Sequence, residues 1–298
     1  MAAFKDFYEL TKPRLSLLSV FSAMIGFSLA PKAAVPDAAF AYSLLVATAI
    51  AFCAGGAAVL NQWMEYPLDQ LMERTKKRPI PIGIVKPNEA LYFGLFISVL
   101  GLSLLYYFCN KLSFGLALLT LFSYLLVYTP MKKVTPLNTL IGAFPGALPP
   151  LIGWSCAAGT LSLLAGILFA ILFFWQMPHF YALAWLYRKD YQNAGFKMIT
   201  SIDMNGEMIA NRGLFYCVLL IIVSVLPFYF GFVTIIYLSL VILLNFYIGI
   251  KAYAFLNSEN KNSNAMSLFK ASIIYLPLLL ILLLLDHYIL EIISSVIS

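Results

Sequence analysis

Long apolar runs separated by short polar segments extend through most of the chain. Each run has about the 20 residues that a helix needs to cross the hydrocarbon core of a bilayer. The runs are continuous, without the alternation expected of barrel strands, and only helices or closed barrels satisfy the backbone in lipid. We therefore predict an all-α membrane protein with nine transmembrane helices. Their approximate limits are Leu15–Ala30, Ala38–Leu60, Ala90–Cys109, Leu112–Tyr128, Leu137–Cys156, Leu161–Tyr187, Gly213–Phe230, Phe232–Phe255 and Leu268–Ile289.

Composition agrees with this prediction, because 62% of the 298 residues are hydrophobic and only 11% are charged. A soluble domain has roughly 25% charged residues, so that class is excluded. The formal net charge is +6, but the basic residues lie between the apolar runs and form no surface patch of the kind that binds nucleic acid. We therefore expect no nucleic-acid partner. The four cysteines show no CxxC spacing and predict neither disulfides nor a zinc site. No linker divides the chain, so we predict one domain over residues 1–298.

Lysines and arginines predict the orientation, because they are enriched in cytoplasmic loops. With nine helices, the side that holds the N-terminus receives 17 of the 19 basic residues, and Lys32 and Lys111 remain on the other. The N-terminus is then cytoplasmic and the C-terminus outside. The first 19 residues have two acids and no small-residue cleavage site, which favours a retained helix. We expect a multi-pass protein of a bacterial cytoplasmic (inner) membrane, with lipid around it.

The connection after the second predicted helix carries oxygen-bearing side chains at a spacing of four: Asn61, Glu65 and Asp69. On a continuous helix they share one face, with about 6 Å between neighbours. Such a face suits Mg²⁺, which takes a few carboxylate oxygens together with substrate phosphates. The basic residues that follow, Arg74, Lys76, Lys77 and Arg78, suit phosphate oxygens.

A simpler interpretation of the same segment is also open. The two acids would be solvated where a helix leaves the membrane, and the basic cluster would only obey the charge rule of membrane topology. We call the row of oxygen-bearing residues Asn61, Glu65 and Asp69 the oxygen stripe. Pro67 lies within this stripe, and an interior proline usually ends or kinks a helix. The pattern therefore predicts a stripe that straddles a break.

The connection after the sixth predicted helix is the second polar segment. It combines aromatic residues with His179 beside Pro178, and an ionisable group within a membrane helix is a candidate for function. The histidine could equally hydrogen-bond a carbonyl that the proline frees. The polar cluster that follows has one acid, Asp190, which is a candidate member of a second phosphate-binding cluster. Tyr187 in the same cluster could donate a hydrogen bond to an anionic oxygen.

Three segments resemble the UbiA superfamily of intramembrane prenyltransferases, and the resemblance covers nearly the whole chain. They are NQWMEYPLDQLMERTKKRPIP from Asn61, YTPMKKVTPLNTLIGAFPGALPPLIGW from Tyr128 and WQMPHFYALAWLYRKDYQNAGFKM from Trp175. The first alone resembles the superfamily, and the three together resemble its heme-modifying branch. The resemblance implies a nine-helix bundle around a cavity, capped by two polar cytoplasmic loops.

The resemblance also implies the chemistry. The substrates would be farnesyl diphosphate and heme B, the cofactor Mg²⁺, and the product heme O with its hydroxyethylfarnesyl side chain. Heme A synthase or a terminal oxidase would be a candidate partner. The implied metal ligands are Asn61, Glu65, Asp69 and Asp190, which with Arg74 and Arg78 form the catalytic set. The implied diphosphate contacts are Arg74, Lys77, Arg78, Tyr187, Lys189 and Lys197, and the implied heme contacts are His179 and Trp175.

Two departures from the broad superfamily pattern concern the acids. Glu65 replaces an aspartate, and the second motif has the single acid Asp190 where most relatives have two or more. A second metal site is therefore in doubt, and Tyr187, Lys189 and Lys197 could take over part of the phosphate neutralisation. The heme-modifying branch shares both changes.

Two other functions compete with this one. A transporter also places polar groups near broken helices, but the charges here cluster on one membrane face and few lie near the midplane. A UbiA-type enzyme acting on an aromatic acid or a quinone precursor would share the metal chemistry and differ only in its acceptor.

Overall fold

The computed structural model describes residues 2–257 and 259–297, and every regular element among them is helical. Contacts divide the chain into two units. The first runs to Leu161 and includes Lys189–Met198, and the second comprises Ser162–Arg188 and the chain from Ile199 onward. The all-α fold class is confirmed.

The part of the first unit that runs to Leu161 contains seven helices within the described residues. Helix α5 continues as a π-helical segment, Ser123–Tyr128, and ends with the turn Thr129–Met131. The Asn110 side chain caps the start of α5 by accepting a hydrogen bond from the Ser113 amide. The seven are α1 (Phe4–Leu10), α2 (Pro13–Leu29), α3 (Ala39–Asp69), α4 (Pro87–Phe108), α5 (Lys111–Phe122), α6 (Asn138–Ala147) and α7 (Pro149–Ala158).

The second unit begins with α8 (Leu163–Leu186), which Ser162 caps. The connection that follows contains the short helix α9 (Arg188–Asn193), which belongs to the first unit from Lys189 onward, and one 3₁₀ turn of the second unit, Ile199–Ser201. Three further helices complete the unit. They are α10 (Glu207–Tyr229), α11 (Ile235–Leu256) and α12 (Lys261–Ile297).

Eight spans among the described residues are long and apolar enough to cross a membrane. The remaining predicted helix, Leu15–Ala30, corresponds to α2, which is apolar but has only 17 residues, so the number nine stays a prediction. Large apolar side chains such as Phe40 (83% exposed) and Phe246 (70% exposed) lie on the surface, as expected of side chains that contact lipid. The chain is a multi-pass membrane protein.

Most predicted limits are correct to within a few residues, with several larger differences. Helix α3 ends at Asp69, nine residues after the predicted Leu60, and α10 begins at Glu207, six residues before the predicted Gly213. Helix α12 ends at Ile297, eight residues after the predicted Ile289. The last helix begins at Lys261, seven residues before the predicted Leu268. The predicted helix Leu137–Cys156 is two helices, α6 and α7, which break at Leu148 before Pro149. The proline removes a backbone donor and clashes with the preceding turn, which explains the break.

Small residues allow α2 and α7 to pack closely. A Cβ atom built on Gly153 would lie 1.8 Å from the Ala23 carbonyl oxygen, and one on Gly26 would lie 2.1 Å from that of Pro150. Both positions therefore require glycine, as is common where membrane helices approach closely. This packing fixes α2, and with it the segment before Pro13, within the first unit.

Candidate active site

Helix α3 runs unbroken to Asp69 and carries all three residues of the oxygen stripe. Asn61, Glu65 and Asp69 are 2%, 7% and 1% exposed, so they are buried and not solvated at a helix end. The expected break at Pro67 is wrong, because the helix passes through that proline. Membrane helices tolerate an interior proline where neighbouring groups satisfy the freed carbonyl.

Each of the three side chains contacts one cation. Arg78 Nη1 lies 2.7 Å from Asp69 Oδ2, and Lys132 Nζ lies 2.8 Å from Glu65 Oε1. Lys12 Nζ donates to Asn61 Oδ1 at 3.4 Å. Buried charges are costly unless paired, which explains why the stripe and its cations occur together. We call Lys12, Arg78 and Lys132 the facing cations.

Lys12 is one of two facing cations that the sequence analysis assigned only to topology. It lies between α1 and α2 with φ at 47°, and it is the one non-glycine residue with positive φ in the described ranges. Such a conformation costs a lysine about 1–2 kcal/mol and is often found at functional sites. Burial and the nearby positive charge of Arg78 lower the pKa of Lys12 to about 7.

Lys132 is the other facing cation that was missed. Its Nζ also lies over the Tyr128 ring, 4.7 Å from the centroid. Burial alone would lower the pKa of Lys132, but the neighbouring Tyr128, Glu65 and Tyr124 outweigh it, so the pKa is raised. Lys132 therefore remains a firmly charged partner for an anion.

One oxygen of the stripe has no partner. Asp69 Oδ2 pairs with Arg78, whereas Oδ1 is buried and forms no hydrogen bond in the part of the chain that the structure describes. An unsatisfied buried carboxylate oxygen is costly, and a bound cation would remove that cost. Two carboxylates and one amide oxygen are the hard ligands that Mg²⁺ prefers, so the residues fit such an ion.

Asp190 lies in the loop after α8 and contacts the loop after α3. Its Oδ2 accepts a hydrogen bond from the Arg74 backbone amide at 3.3 Å. Within residues 2–257 and 259–297 no group of three or more His, Cys, Asp or Glu side chains could hold a metal ion, so Asp190 does not form such a cluster with Glu65 and Asp69. Its place among the metal ligands stays a prediction.

The same segment is also attached at Lys197. The Lys197 amide donates to the Lys132 carbonyl at 2.8 Å, and Asn138 Nδ2 donates to the Lys197 carbonyl at 2.8 Å. The Lys197 side chain is exposed, as are those of Arg74, Lys77 and Lys189. Tyr187 lies at the C-terminal end of α8 and is half-buried. The structure thus places most predicted phosphate contacts at the surface, whereas the partly buried Lys12 and Lys132 contact the stripe.

The second unit holds the two predicted heme contacts. His179 and Trp175 lie one turn apart on α8, and their rings stack with centroids 5.1 Å apart. His179 Nδ1 lies 2.8 Å from Ser272 Oγ, and Trp175 Nε1 donates to the Ser272 carbonyl at 2.7 Å. Both residues are therefore held by α12. Sequence alone gave no signal for Ser272.

Residues 19–274 match the model of the UbiA prenyltransferase family, and the chain belongs to that family. A protoheme IX farnesyltransferase of Opitutus terrae is 42% identical, with 96% of each chain covered. Another from Nitrosomonas europaea is 40% identical and covers 96% of this chain and 95% of its own length. The expected resemblance to the heme-modifying branch is thus confirmed.

Solved structures show the same fold at lower identity. A UbiA homolog from Archaeoglobus fulgidus bound to GPP and Mg²⁺ has a TM-score of 0.69 and 16% identity, covering 93% of this chain and 99% of its own. A structure described under the biosynthesis of digeranylgeranylglyceryl phosphate synthase in membranes has a TM-score of 0.78 at 21% identity, covering 95% and 98%. The UbiA-type all-α fold is confirmed.

Proposed function

We propose that this protein is an enzyme that transfers the farnesyl group of farnesyl diphosphate to a vinyl group of heme B, with addition of water, to give heme O and diphosphate. The observation that carries the proposal is the similarity over nearly the whole chain to protoheme IX farnesyltransferases at 37–42% identity. Membership of a prenyltransferase family argues against the transporter alternative.

Mg²⁺ fits the oxygen stripe of Asn61, Glu65 and Asp69, and the unpaired Asp69 Oδ1 is the atom that most needs it. When bound, the ion would supply positive charge to the diphosphate and so stabilise it as a leaving group. Asp190 is kept as a further candidate ligand.

The facing cations are the diphosphate contacts that the geometry favours. Lys12, Arg78 and Lys132 already converge on the stripe, so little rearrangement is needed for them to donate to phosphate oxygens. Preorganised donors of this kind usually make the largest contribution to catalysis, because they cost no reorganisation during the reaction. The exposed Arg74, Lys77, Lys189 and Lys197, with Tyr187, would assist from the loops.

The proposed reaction transfers the farnesyl group to carbon and releases diphosphate. The C1–O bond of farnesyl diphosphate breaks, and its electron pair leaves with the diphosphate. The π electrons of the heme vinyl group form the new bond to C1, which places a cation beside the macrocycle. Water adds to that cation and loses one proton. His179 and Trp175 are the proposed heme contacts, through the imidazole nitrogen and the flat indole surface.

The location and orientation are also proposals. With nine helices, the facing cations and the loops after α3 and α8 would lie on the side that receives most of the basic residues, which favours a cytoplasmic site with the N-terminus on that side and the C-terminus outside. The membrane would be a bacterial cytoplasmic membrane. A heme A synthase or a terminal oxidase would then receive the product.

Mass spectrometry of the product tests the proposal. Detergent-purified protein is incubated with heme B, farnesyl diphosphate and Mg²⁺, with and without EDTA. We expect farnesylated, hydrated heme, and none with EDTA. Prenylation of an aromatic acid in place of heme would overturn the acceptor and keep the fold and the metal chemistry.

A further inference from the structure

We propose that Ser272 is a positioning residue that holds His179 as the Nδ1–H tautomer and so leaves Nε2 with a free lone pair for the heme iron. The inference deepens the proposed function and rests on it, because it concerns how the heme substrate is bound. Ser272 lies on α12 and is fully buried.

The hydrogen bonds of the Ser272 hydroxyl favour one tautomer of His179. Ser272 Oγ lies 2.7 Å from the Phe269 carbonyl oxygen and 2.8 Å from His179 Nδ1. A hydroxyl has one proton, and the carbonyl oxygen can only accept. If the proton points to Phe269, Nδ1–H can donate to Oγ and both contacts are hydrogen bonds. If it points to Nδ1, the contact with Phe269 is lost. The first arrangement satisfies more polar groups in a buried place.

The other ring nitrogen of His179, Nε2, has no proton in this tautomer. In the Nδ1–H tautomer of a neutral imidazole, Nε2 carries the lone pair. Within the described ranges Nε2 of His179 has no hydrogen-bond partner. A neutral imidazole nitrogen is a common ligand of iron, and the nitrogen that binds is set by the hydrogen bond at the other one. The described part of the chain therefore leaves Nε2 without a hydrogen bond that would compete with the iron.

Neighbouring side chains and the Ser272 carbonyl also fix the orientation of the His179 and Trp175 rings. The Ser272 carbonyl accepts from Trp175 Nε1 at 2.7 Å, so one residue holds both proposed heme contacts. Trp175 stacks on His179 at 26° between ring planes, and the Phe269 ring lies 4.9 Å from the His179 centroid. These contacts restrict rotation of the imidazole, so the direction of Nε2 is fixed before heme arrives.

The tautomer can be read directly, because the chain has only two histidines. Protein labelled with ¹⁵N-histidine is measured in detergent without heme, above the usual pKa of histidine, and His287→Gln assigns the second ring. We expect a protonated Nδ1 and an unprotonated Nε2 at His179. Ser272→Ala should shift the population towards Nε2–H. A wild-type ring protonated at Nε2, or no shift in the variant, would overturn the proposal.

Heme binding provides the second readout. Titration of ferric heme B, followed by the Soret band, should show the spectrum of an imidazole-bound iron that His179→Ala removes. Loss of an outer hydrogen bond typically weakens metal affinity about 10- to 100-fold, so Ser272→Ala should weaken binding by about that factor. Ser272→Thr keeps the hydroxyl and should restore most of the affinity and the spectrum.

Ser155→Ala is the matched control, since Ser155 is equally buried and its Oγ also donates to the carbonyl three residues back, at Ile152. It should change neither the His179 tautomer nor the Soret band. Unchanged heme affinity in Ser272→Ala would overturn the proposal even if the tautomer is as expected. Heme that binds to the wild type with these properties but is not farnesylated would overturn the proposed function and leave the role of Ser272 supported.

Discussion

The Lys132 ammonium lies 2.8 Å from the Glu65 carboxylate and joins segments that are 67 residues apart in the chain. The two side chains are 16% and 9% exposed, so the ion pair is largely shielded from water. Removal of one partner from such a pair leaves an uncompensated buried charge, whereas removal of both charges can be nearly neutral.

Lys132→Met should therefore destabilise the protein by about 3 kcal/mol. The double variant Glu65→Gln/Lys132→Met should regain most of that loss, because no charge is then left unpaired. The free energy of unfolding in detergent measures both. A double variant as unstable as the single one would show that the ion pair is not what stabilises this region.

Asp69→Asn keeps the size of the side chain and removes the carboxylate that we assign to Mg²⁺. We expect the initial rate of product formation to fall about 100-fold or more, with a higher Mg²⁺ concentration needed for half-maximal rate. Glu73→Gln is the control, because Glu73 lies in the same loop, is 76% exposed and forms an ion pair with Lys76 at 2.6 Å. Equal losses in both variants would contradict a specific metal site at Asp69.

Lys12→Met removes the facing cation at the start of α2. A charged hydrogen bond contributes about 1.5–3 kcal/mol, so the KM for farnesyl diphosphate should rise about tenfold or more, while the affinity for heme stays unchanged. Lys5→Met removes the same charge from an exposed position on α1 and should leave the KM unchanged. An unchanged KM in Lys12→Met would exclude Lys12 from the diphosphate site.

Gly153→Ala tests the packing that positions α2. The added Cβ would meet the Ala23 carbonyl oxygen, so the two helices must separate, at a cost of about 1–3 kcal/mol. Gly115→Ala on α5 has nothing within 4 Å and should be neutral or stabilise by up to about 1 kcal/mol. Thermal unfolding in detergent compares the two, and equal midpoints would argue against the close approach.

The apolar runs predicted the helices because a bilayer allows so few alternatives, and the spacing of Asn61, Glu65 and Asp69 predicted one shared face. The effect of Pro67 was predicted wrongly, because tertiary surroundings decide whether a helix passes through a proline. The helix Phe4–Leu10 was missed since seven residues are too short to show a clear period.

The partners of the stripe could not be predicted from the sequence. Lys12 and Asn61 are 49 residues apart, and both Lys12 and Lys132 obey the topology rule whether or not they have another role. Ser272 is 93 residues from His179 and resembles any other small residue of a membrane helix. Contacts at these separations are set by helix packing, and no local pattern encodes them.

Product analysis in water labelled with ¹⁸O tests the farnesylation of heme most directly. Purified protein is incubated with heme B, farnesyl diphosphate and Mg²⁺, and the mass of the porphyrin product is measured by mass spectrometry. We expect heme that has gained one farnesyl group and one hydroxyl group that carries the ¹⁸O label. Heme recovered unchanged, while the same preparation releases diphosphate and transfers the farnesyl group to another acceptor, would contradict it.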